Sequence, residues 1–232
     1  MKHSPRSRGP EPETIERRHD ALLVLDVDEV VLEFIGPFDA LLRENGARLH
    51  FESFRLTGNA RSLATGEAIG GGVLEGFTQR IYAEQAQRQP VVRGAAEALA
   101  RLAARADIVF LTAMTPSFYD ARRALLDSAG LHFPMIATER SKGGVVDELM
   151  KARSGPAVFV DDLPPNLLAV HRSAPAARLV HLMAHEGFRP HLPPLPPGAF
   201  AARDWPHAEA MLAELLAGRE PTMSEPEKAP DR

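Results

Sequence analysis

The chain has 232 residues, of which 44% are hydrophobic and 25% charged, an ordinary globular composition with enough length for one core and a small second domain. Lys and Arg number 27 against 31 Asp and Glu, so a formal net charge of -4 leaves no basic field for binding nucleic acid. The chain contains no cysteine, which excludes disulfides, thiol nucleophiles and zinc sites built on thiolates.

Both ends of the chain have the composition of unfolded segments. Residues 1–18 and 219–232 mix prolines with charged side chains and lack an apolar period, which predicts two disordered tails. No apolar segment follows the basic residues near the start, and no run of about 18 apolar residues occurs anywhere. We therefore expect a soluble, cytoplasmic protein without a membrane partner.

Short apolar runs predict strands that are buried on both faces. The strongest cover residues 21–25, 108–111 and 157–160, and weaker ones cover residues 135–137 and 178–183. Segments of helical period accompany them at residues 95–104, 116–129, 144–152 and 164–173. Strand followed by helix, repeated, predicts an α/β fold with a doubly wound, mostly parallel, Rossmann-like sheet.

One interval is too long for an ordinary crossover between strands. Residues 33–92 separate the first strand from the helix that leads to the second, and we predict a small inserted cap domain there, with the core formed by residues 19–32 and 93–188. Inside the insertion, the pattern predicts helices over residues 38–44 and 73–87 and a strand over residues 49–56. Residues 189–218 are predicted to form a proline-rich linker and a final helix that packs on the core.

Acidic residues end two of the predicted strands. Asp26 and Asp28 follow the first apolar run, and Asp161 and Asp162 follow the third. Because ligands of parallel sheets bind beyond the carboxyl ends of the strands, at least three of these carboxylates are expected to converge at one edge. Hard oxygen ligands of this kind suit Mg²⁺.

A hydroxyl and an ammonium group join this predicted edge. Thr112 ends the second apolar run, and Lys142 precedes the helix that leads to the third. Both side chains donate hydrogen bonds to anionic oxygens. Arg140 and Lys151 are alternatives to Lys142 as the source of the ammonium or guanidinium group. The alternative interpretation of Thr112 is a hydroxyl with a purely structural role at the end of a strand.

In chain order, Asp26-Val27-Asp28, Thr112, Lys142 and Asp161-Asp162 resemble the four motifs of the haloacid dehalogenase superfamily. The resemblance covers roughly residues 20–185. Members are mostly Mg²⁺-dependent phosphatases with a Rossmann-like sheet, and a cap inserted after the first strand is one of their recurring features. The resemblance thus implies a phosphatase acting on a small phosphorylated molecule.

The resemblance also implies a role for each motif residue. Asp26 would be the nucleophile that forms a phosphoaspartate, and Asp28 the general acid and base. Thr112 and Lys142 would hold the transferring phosphoryl oxygens. Dehalogenase members lack the second aspartate, so Asp28 indicates phosphorus chemistry.

The implied magnesium ligands are Asp162, Asp26 and the backbone carbonyl of Asp28, with Asp161 assisting directly or through water.

The sequence departs from the family pattern in two places. Glu29 and Val30 follow the second aspartate where many relatives have smaller residues, and Asn166 stands where the fourth motif often ends in a second acid.

Other functions fit the same residues less well. A phosphotransferase or mutase of the superfamily shares the motifs, and a non-catalytic binding module would keep the fold. A signalling receiver domain has its acidic pair after the first strand and its phosphorylated aspartate after a later strand. In this chain the order of the two motifs is reversed.

Two further sets of polar residues invite a functional interpretation. His181 and His185 with Glu186 have the wrong order for a helical zinc site, and we expect no metal there. In the insertion, Arg55, Asn59 and Arg61 are candidates for contact with an anionic substrate.

Overall fold

The computed structural model describes residues 6–151 and 153–221. The strands of this part of the chain are β1 (Ser7–Arg8), β2 (Leu22–Leu25), β3 (Ala47–Leu49), β4 (Ala60–Ser62), β5 (Asp107–Thr112), β6 (Met135–Thr138), β7 (Ala157–Asp161), β8 (Arg178–His181) and β9 (Phe200–Ala201). Seven of them form one sheet in the order β1-β6-β5-β2-β7-β8-β9, in which only the β1–β6 pair is antiparallel. The predicted α/β fold is confirmed.

The helices of the described residues are α1 (Ile35–Glu44), α2 (Gly71–Ala83), α3 (Gln85–Arg88), α4 (Ala95–Leu102), α5 (Tyr119–Ser128), α6 (Lys142–Met150), α7 (Pro164–Ser173) and α8 (Trp205–Leu216). Short 3-10 helices cover Pro12–Thr14, Pro116–Phe118 and Glu186–His191. None of these helices combines the length and the apolar character that crossing a bilayer requires.

Helices cover both faces of the sheet, which explains why its central strands read as continuous apolar runs. Successive residues of a strand point to opposite faces. Leu23 and Leu25 of β2 therefore join the apolar cluster that contains α4 and α8, whereas Leu22 and Val24 join the cluster that contains α6 and α7.

The edges of the sheet differ from the prediction. The disordered tail predicted over residues 1–18 is wrong for residues 6–18, because β1 pairs with β6 and Ile15 is buried in the core. At the opposite edge, β9 lies within the segment predicted to be a linker and pairs with β8. Each of these strands has two residues, too few to show an alternating pattern.

The end of the described chain also contacts the fold. Arg219 donates to Glu214, Glu220 pairs with Arg178, and Pro221 is buried. The tail predicted over residues 219–232 is therefore wrong for its first three residues. The remainder of that prediction, and residues 1–5 of the other, lie outside the described residues.

The insertion after β2 has its own apolar cluster, with Phe38, Leu42 and Ile81 among its buried members. Helices α1, α2 and α3 and the β3–β4 hairpin form it. The predicted single helix over residues 73–87 is interrupted at Glu84.

The strand predicted over residues 49–56 is wrong beyond Leu49, where β3 ends and a loop begins. Phe51, Phe54 and Leu56 of the loop pack against the insertion's cluster, so the apolar spacing reflects loop packing and not a strand ladder. The buried Asn59 side chain holds the loop by donating to the backbone oxygens of Ser53 and Arg55, each at 2.7 Å.

Candidate active site

Asp26 lies at the carboxyl end of the central strand. In β2, Leu25 is in register with Phe110 of β5 and with Val160 of β7, so Asp26 is level with Asp161. The backbone N–H of Asp26 donates to the Val160 oxygen at 2.9 Å. This parallel register brings the acidic ends of two motifs together.

The Lys142 ammonium lies between these two strands. It is 2.7 Å from Oδ1 of Asp26 and 2.7 Å from Oδ2 of Asp161, and only 3% of its side chain is exposed. Lys142 is the first residue of α6, which packs on α7 in the layer that covers this face of the sheet. The position predicted from the sequence is thus the one that reaches the acidic edge.

The two alternatives to Lys142 are used elsewhere. Arg140 pairs with Glu148, and Lys151 pairs with Asp147 at 3.0 Å. Neither is buried at the end of the sheet.

Asp161 is held from several sides, whereas Asp162 is not. Oδ1 of Asp161 accepts from the Leu163 backbone at 2.8 Å and from the Asn166 amide at 3.0 Å, and Oδ2 accepts from Lys142. The Asp162 carboxylate is buried, yet no described residue donates a hydrogen bond to it. One carboxylate oxygen each of Asp26, Asp161 and Asp162 lies within 4.8 Å of the others.

Burial dominates the electrostatics of this group. It raises the pKa of Asp26 to about 7, with Lys142 opposing the rise and Asp161 and Asp28 adding to it. Burial, then the charges of Asp161 and Asp26, raise the pKa of Asp162 well above the usual carboxyl range. Burial opposes the charged form of Lys142, but the Asp161 and Asp26 carboxylates outweigh it and raise its pKa. Three buried carboxylates therefore share one ammonium.

Asp28 lines the same cavity as Asp26, but its carboxylate lies outside the cluster of three. Its Oδ1 accepts from the Gln89 amide at 2.8 Å and from the Arg122 guanidinium at 3.0 Å. Arg122 lies on α5, is fully buried, and also bonds to Gln85 and Gln89. The second oxygen of Asp28 takes no hydrogen bond from a described residue.

Thr112 completes the edge from β5. Its side chain is fully buried and lines the cavity, and its Oγ1 accepts a hydrogen bond from the Met114 backbone at 3.0 Å. Because that bond uses a lone pair, the hydroxyl proton stays available for an anionic oxygen.

A cavity of about 310 Å³ opens directly above these residues. Its floor includes Asp26, Asp28, Thr112 and Asp162, and its walls come from the insertion and from the loop after β8. A larger cavity of about 540 Å³ lies on the other side of Glu29, but it contains neither Asp26 nor Asp162. The smaller cavity is thus the one that adjoins the acidic cluster.

No protein-family model matches this chain, and no curated protein matches it in sequence. Solved structures do match it. They include a haloacid dehalogenase-like protein from Agrobacterium tumefaciens (TM-score 0.56, 14% identity, 84% of this chain and 98% of that one). A haloacid dehalogenase-like hydrolase from Burkholderia xenovorans also matches (TM-score 0.51, 21% identity, 85% and 99%).

A third match is a hydrolase of the same family from Deinococcus radiodurans, solved with bound phosphate and sodium (TM-score 0.54, 15% identity, 86% and 96%). These likenesses extend over nearly the full length of each solved chain. The chain has the haloacid dehalogenase fold. Its acidic cluster lies at the carboxyl end of the central strand of that fold.

Sequence reasoning missed the residues that bind Asp28 in this haloacid dehalogenase fold. Gln85 and Gln89 come from the end of the insertion, and Arg122 comes from the core. Their contacts therefore join residues that are far apart in sequence. One local signal existed: Arg122 precedes the buried Leu126 by four residues, which places a charge on the apolar stripe of α5.

Glu29, noted as a departure from the family pattern, joins the core to the insertion. Its φ of 61° is unusual for a residue other than glycine, and its side chain is buried. Oε1 accepts from the backbone of Phe34 and Ile35 at 2.8 and 2.6 Å, and Oε2 accepts from that of His185 at 2.8 Å. The longer acid thus fixes the start of α1 against the loop after β8.

Of the other polar residues singled out in the sequence, one lines the cavity and the others make contacts elsewhere. Arg55 lines the cavity, whereas Arg61 pairs with Glu52 at 2.6 Å and is not part of its lining. His181 bonds to the Asp162 backbone oxygen at 2.9 Å, and the His185 ring stacks on Phe51. Within the described chain, neither histidine belongs to a cluster able to hold a metal.

Proposed function

We propose that this protein is a Mg²⁺-dependent phosphatase that hydrolyses small phosphate monoesters through a phosphoaspartate at Asp26. The observation that carries the proposal is the buried group of Asp26, Asp161 and Asp162 with Lys142, at the end of the central strand and beneath a cavity. The haloacid dehalogenase fold supports it, since hydrolases share that fold.

Asp26 has the features of a positioned nucleophile. Its Oδ1 accepts from the Val27 backbone at 2.7 Å and pairs with Lys142, which fixes the carboxylate. No described residue bonds to Oδ2, so that oxygen is available to attack phosphorus. Attack forms the Asp26–phosphorus bond while the ester P–O bond breaks and releases the alcohol oxygen.

The donor set fits a divalent cation. When ionised, three buried carboxylates balanced by one ammonium leave two negative charges, and all of the ligand atoms are oxygens. Asp162 and Asp26, with the backbone carbonyl of Asp28, would hold Mg²⁺, and Asp161 would orient Lys142 and assist. When bound, the ion supplies positive charge that stabilises the transferring phosphoryl group.

Asp28 is suited to carry the proton. Gln89 and Arg122 hold its Oδ1, and Oδ2 takes no protein hydrogen bond within the described chain, so Oδ2 is free to exchange a proton with the substrate. It would protonate the departing alcohol oxygen and then take a proton from the water that attacks the phosphoaspartate. That second attack breaks the bond between phosphorus and Asp26 and restores the nucleophile.

Thr112 and Lys142 would hold the phosphoryl oxygens during both steps. The Thr112 hydroxyl proton is free, since its oxygen only accepts from Met114. Lys142 directs two of its three N–H bonds to carboxylates, which leaves one for the substrate. Charge-assisted hydrogen bonds in a buried site stabilise the transition state strongly.

The insertion would act as a cap domain over residues 33–92, on a core of residues 19–32 and 93–188. It contributes Phe34, Arg55 and Tyr82 to the cavity, so it both encloses the site and contacts the alcohol part of the substrate. Enclosure excludes bulk water, which strengthens the hydrogen bonds beneath it.

The direct test is a panel of phosphate monoesters incubated with purified protein, with Mg²⁺ and with a chelator. We expect phosphate release that requires Mg²⁺. Transfer of phosphate to a second alcohol without release would instead support a phosphotransferase or mutase, and no turnover of any ester would support a non-catalytic binding module.

The two acids of the fourth motif should differ in their effect on the metal. We expect Asp162→Asn to raise the Mg²⁺ concentration for half-maximal activity by at least about tenfold. Its matched control, Asp161→Asn, should shift it much less, since Asp161 already accepts bonds from Lys142, Leu163 and Asn166. Calorimetric titration with Mg²⁺ alone gives a second readout, and an equal or larger shift in the Asp161 variant would contradict the assignment.

Arg55 should contribute to substrate affinity. It lines the cavity, and its guanidinium has no ion pair with any described residue, so it is available to an anionic substrate. We expect Arg55→Gln to raise KM about threefold to tenfold with little change in kcat. Arg61→Gln is the matched control because Arg61 pairs with Glu52 outside the cavity, and an equal effect in both variants would refute the role of Arg55.

A further inference from the structure

The cavity above the acidic cluster has walls of a different chemical character from its floor. Its volume of about 310 Å³ is near the lower end for ligand sites, which suits a phosphoryl group carrying one compact substituent. The insertion and the loop after β8 contribute apolar side chains to its walls, namely those of Phe34, Ile35, Phe54, Leu56, Tyr82, Met183 and Phe188.

The aromatic part of this wall is held by ring contacts. Phe54 packs edge-on against Phe188 with centroids 5.9 Å apart, and Phe34 lies 6.0 Å from Tyr82. Phe34 also stacks on the fully buried Phe38 of α1 at 5.6 Å. Contacts of this kind preform an apolar surface before any substrate arrives.

Polar groups are scarce on these walls. The polar side-chain groups that the insertion adds to the described lining are those of Arg55, Thr78 and the Tyr82 hydroxyl. The other polar side chains of the lining lie at the floor, on Asp26, Asp28, Glu29, Thr112, Asp162 and Asn166. Thr78 already donates its hydroxyl to the Leu74 oxygen at 3.2 Å within α2. A polyhydroxylated alcohol would therefore bury several hydroxyl groups without partners, at a cost in affinity.

We propose that the site is specific for phosphate monoesters of compact apolar alcohols, of about the size of one aromatic ring, and discriminates against sugar and polyol phosphates. The inference rests on the proposed phosphatase function and adds the class of the alcohol. The acidic edge binds the phosphoryl end, and the aromatic wall of the insertion buries the apolar end.

The test compares 2-phenylethyl phosphate with glucose 6-phosphate and glycerol 1-phosphate. In all three the departing oxygen belongs to a primary alcohol, so differences in rate report on recognition and not on the leaving group. We expect kcat/KM about 50-fold higher for 2-phenylethyl phosphate. Equal values, or a preference for either polyol ester, would overturn the inference while leaving the phosphatase function standing.

Two variants connect the preference to the wall. Phe54→Ala should lower the ratio of kcat/KM for 2-phenylethyl phosphate to kcat/KM for glucose 6-phosphate about tenfold, by removing a ring from the cavity. Leu63→Ala is the matched control, because Leu63 belongs to the same insertion, is 57% exposed and does not line the cavity. A ratio that Phe54→Ala leaves unchanged would contradict the proposed contact.

Binding separates failure of this inference from failure of the proposed function. If no ester is hydrolysed, the phosphatase function fails, and calorimetric titration with 2-phenylethyl phosphate and with glucose 6-phosphate then decides the cavity's preference. Tighter binding of the phenylethyl ester would support the apolar selectivity, and equal binding, or binding of neither ester, would overturn it.

Discussion

Replacing Asp26 with asparagine is expected to lower kcat/KM by at least about 10⁴-fold and to abolish phosphoenzyme formation. An amide does not attack phosphorus, and among the described carboxylates Asp26 is the one that both pairs with Lys142 and lines the cavity. Steady-state kinetics on an aryl phosphate, with Mg²⁺ present, measure the effect.

The fold should survive this substitution. Burial raises the pKa of Asp26 to about 7, so removing its charge relieves repulsion from Asp161 and Asp28, while Lys142 keeps its pair with Asp161. We expect an unchanged or slightly higher Tm. Asp20→Asn is the control, since Asp20 is exposed just before the other end of β2. Residual activity above about one hundredth of the wild-type value would exclude Asp26 as the nucleophile.

Replacing Asp28 with asparagine should produce a different defect. We expect kcat to fall about 10²- to 10⁴-fold for alkyl phosphates, which need a proton donor for a poor leaving group. An aryl phosphate with a good leaving group should still phosphorylate Asp26, giving a burst of phenol followed by very slow turnover. Asparagine retains an oxygen that accepts from Arg122 and Gln89, so the site's geometry is preserved.

The pattern across substrates is the decisive readout for Asp28. Burst kinetics with 4-nitrophenyl phosphate and steady-state rates with an alkyl phosphate measure the two steps separately. Equal losses for both esters, with no burst, would mean that Asp28 does not transfer the proton.

The centre of the fold follows from the sequence because it depends on local patterns. Strands buried on both faces require continuous apolar runs, and β2, β5 and β7 each show one. The edge strands β1 and β9 depend on pairing with β6 and β8, and two residues carry no pattern of their own. The loop after Leu49 shows the opposite case, in which apolar spacing arises from packing without a ladder.

The candidate site likewise has one part that the sequence predicts and another that it does not. Asp26, Asp161 and Lys142 come together because β7 pairs with β2 and their parallel register makes the two strand ends level. The contacts of Asp28 with Gln89 and Arg122 join residues 61 and 94 positions away in sequence, so no local pattern reports them. The cavity's aromatic wall depends likewise on how the insertion packs over the core.

The phosphoaspartate at Asp26 is the central claim, and its most direct test is to locate the trapped phosphoryl group. The Asp28→Asn variant, mixed with 4-nitrophenyl phosphate and Mg²⁺ and quenched in acid, should carry one phosphoryl group, and peptide mass spectrometry should assign it to Asp26. A phosphoryl group on any other residue, or a quenched protein that carries none while 4-nitrophenol has been released in a burst, would contradict this mechanism.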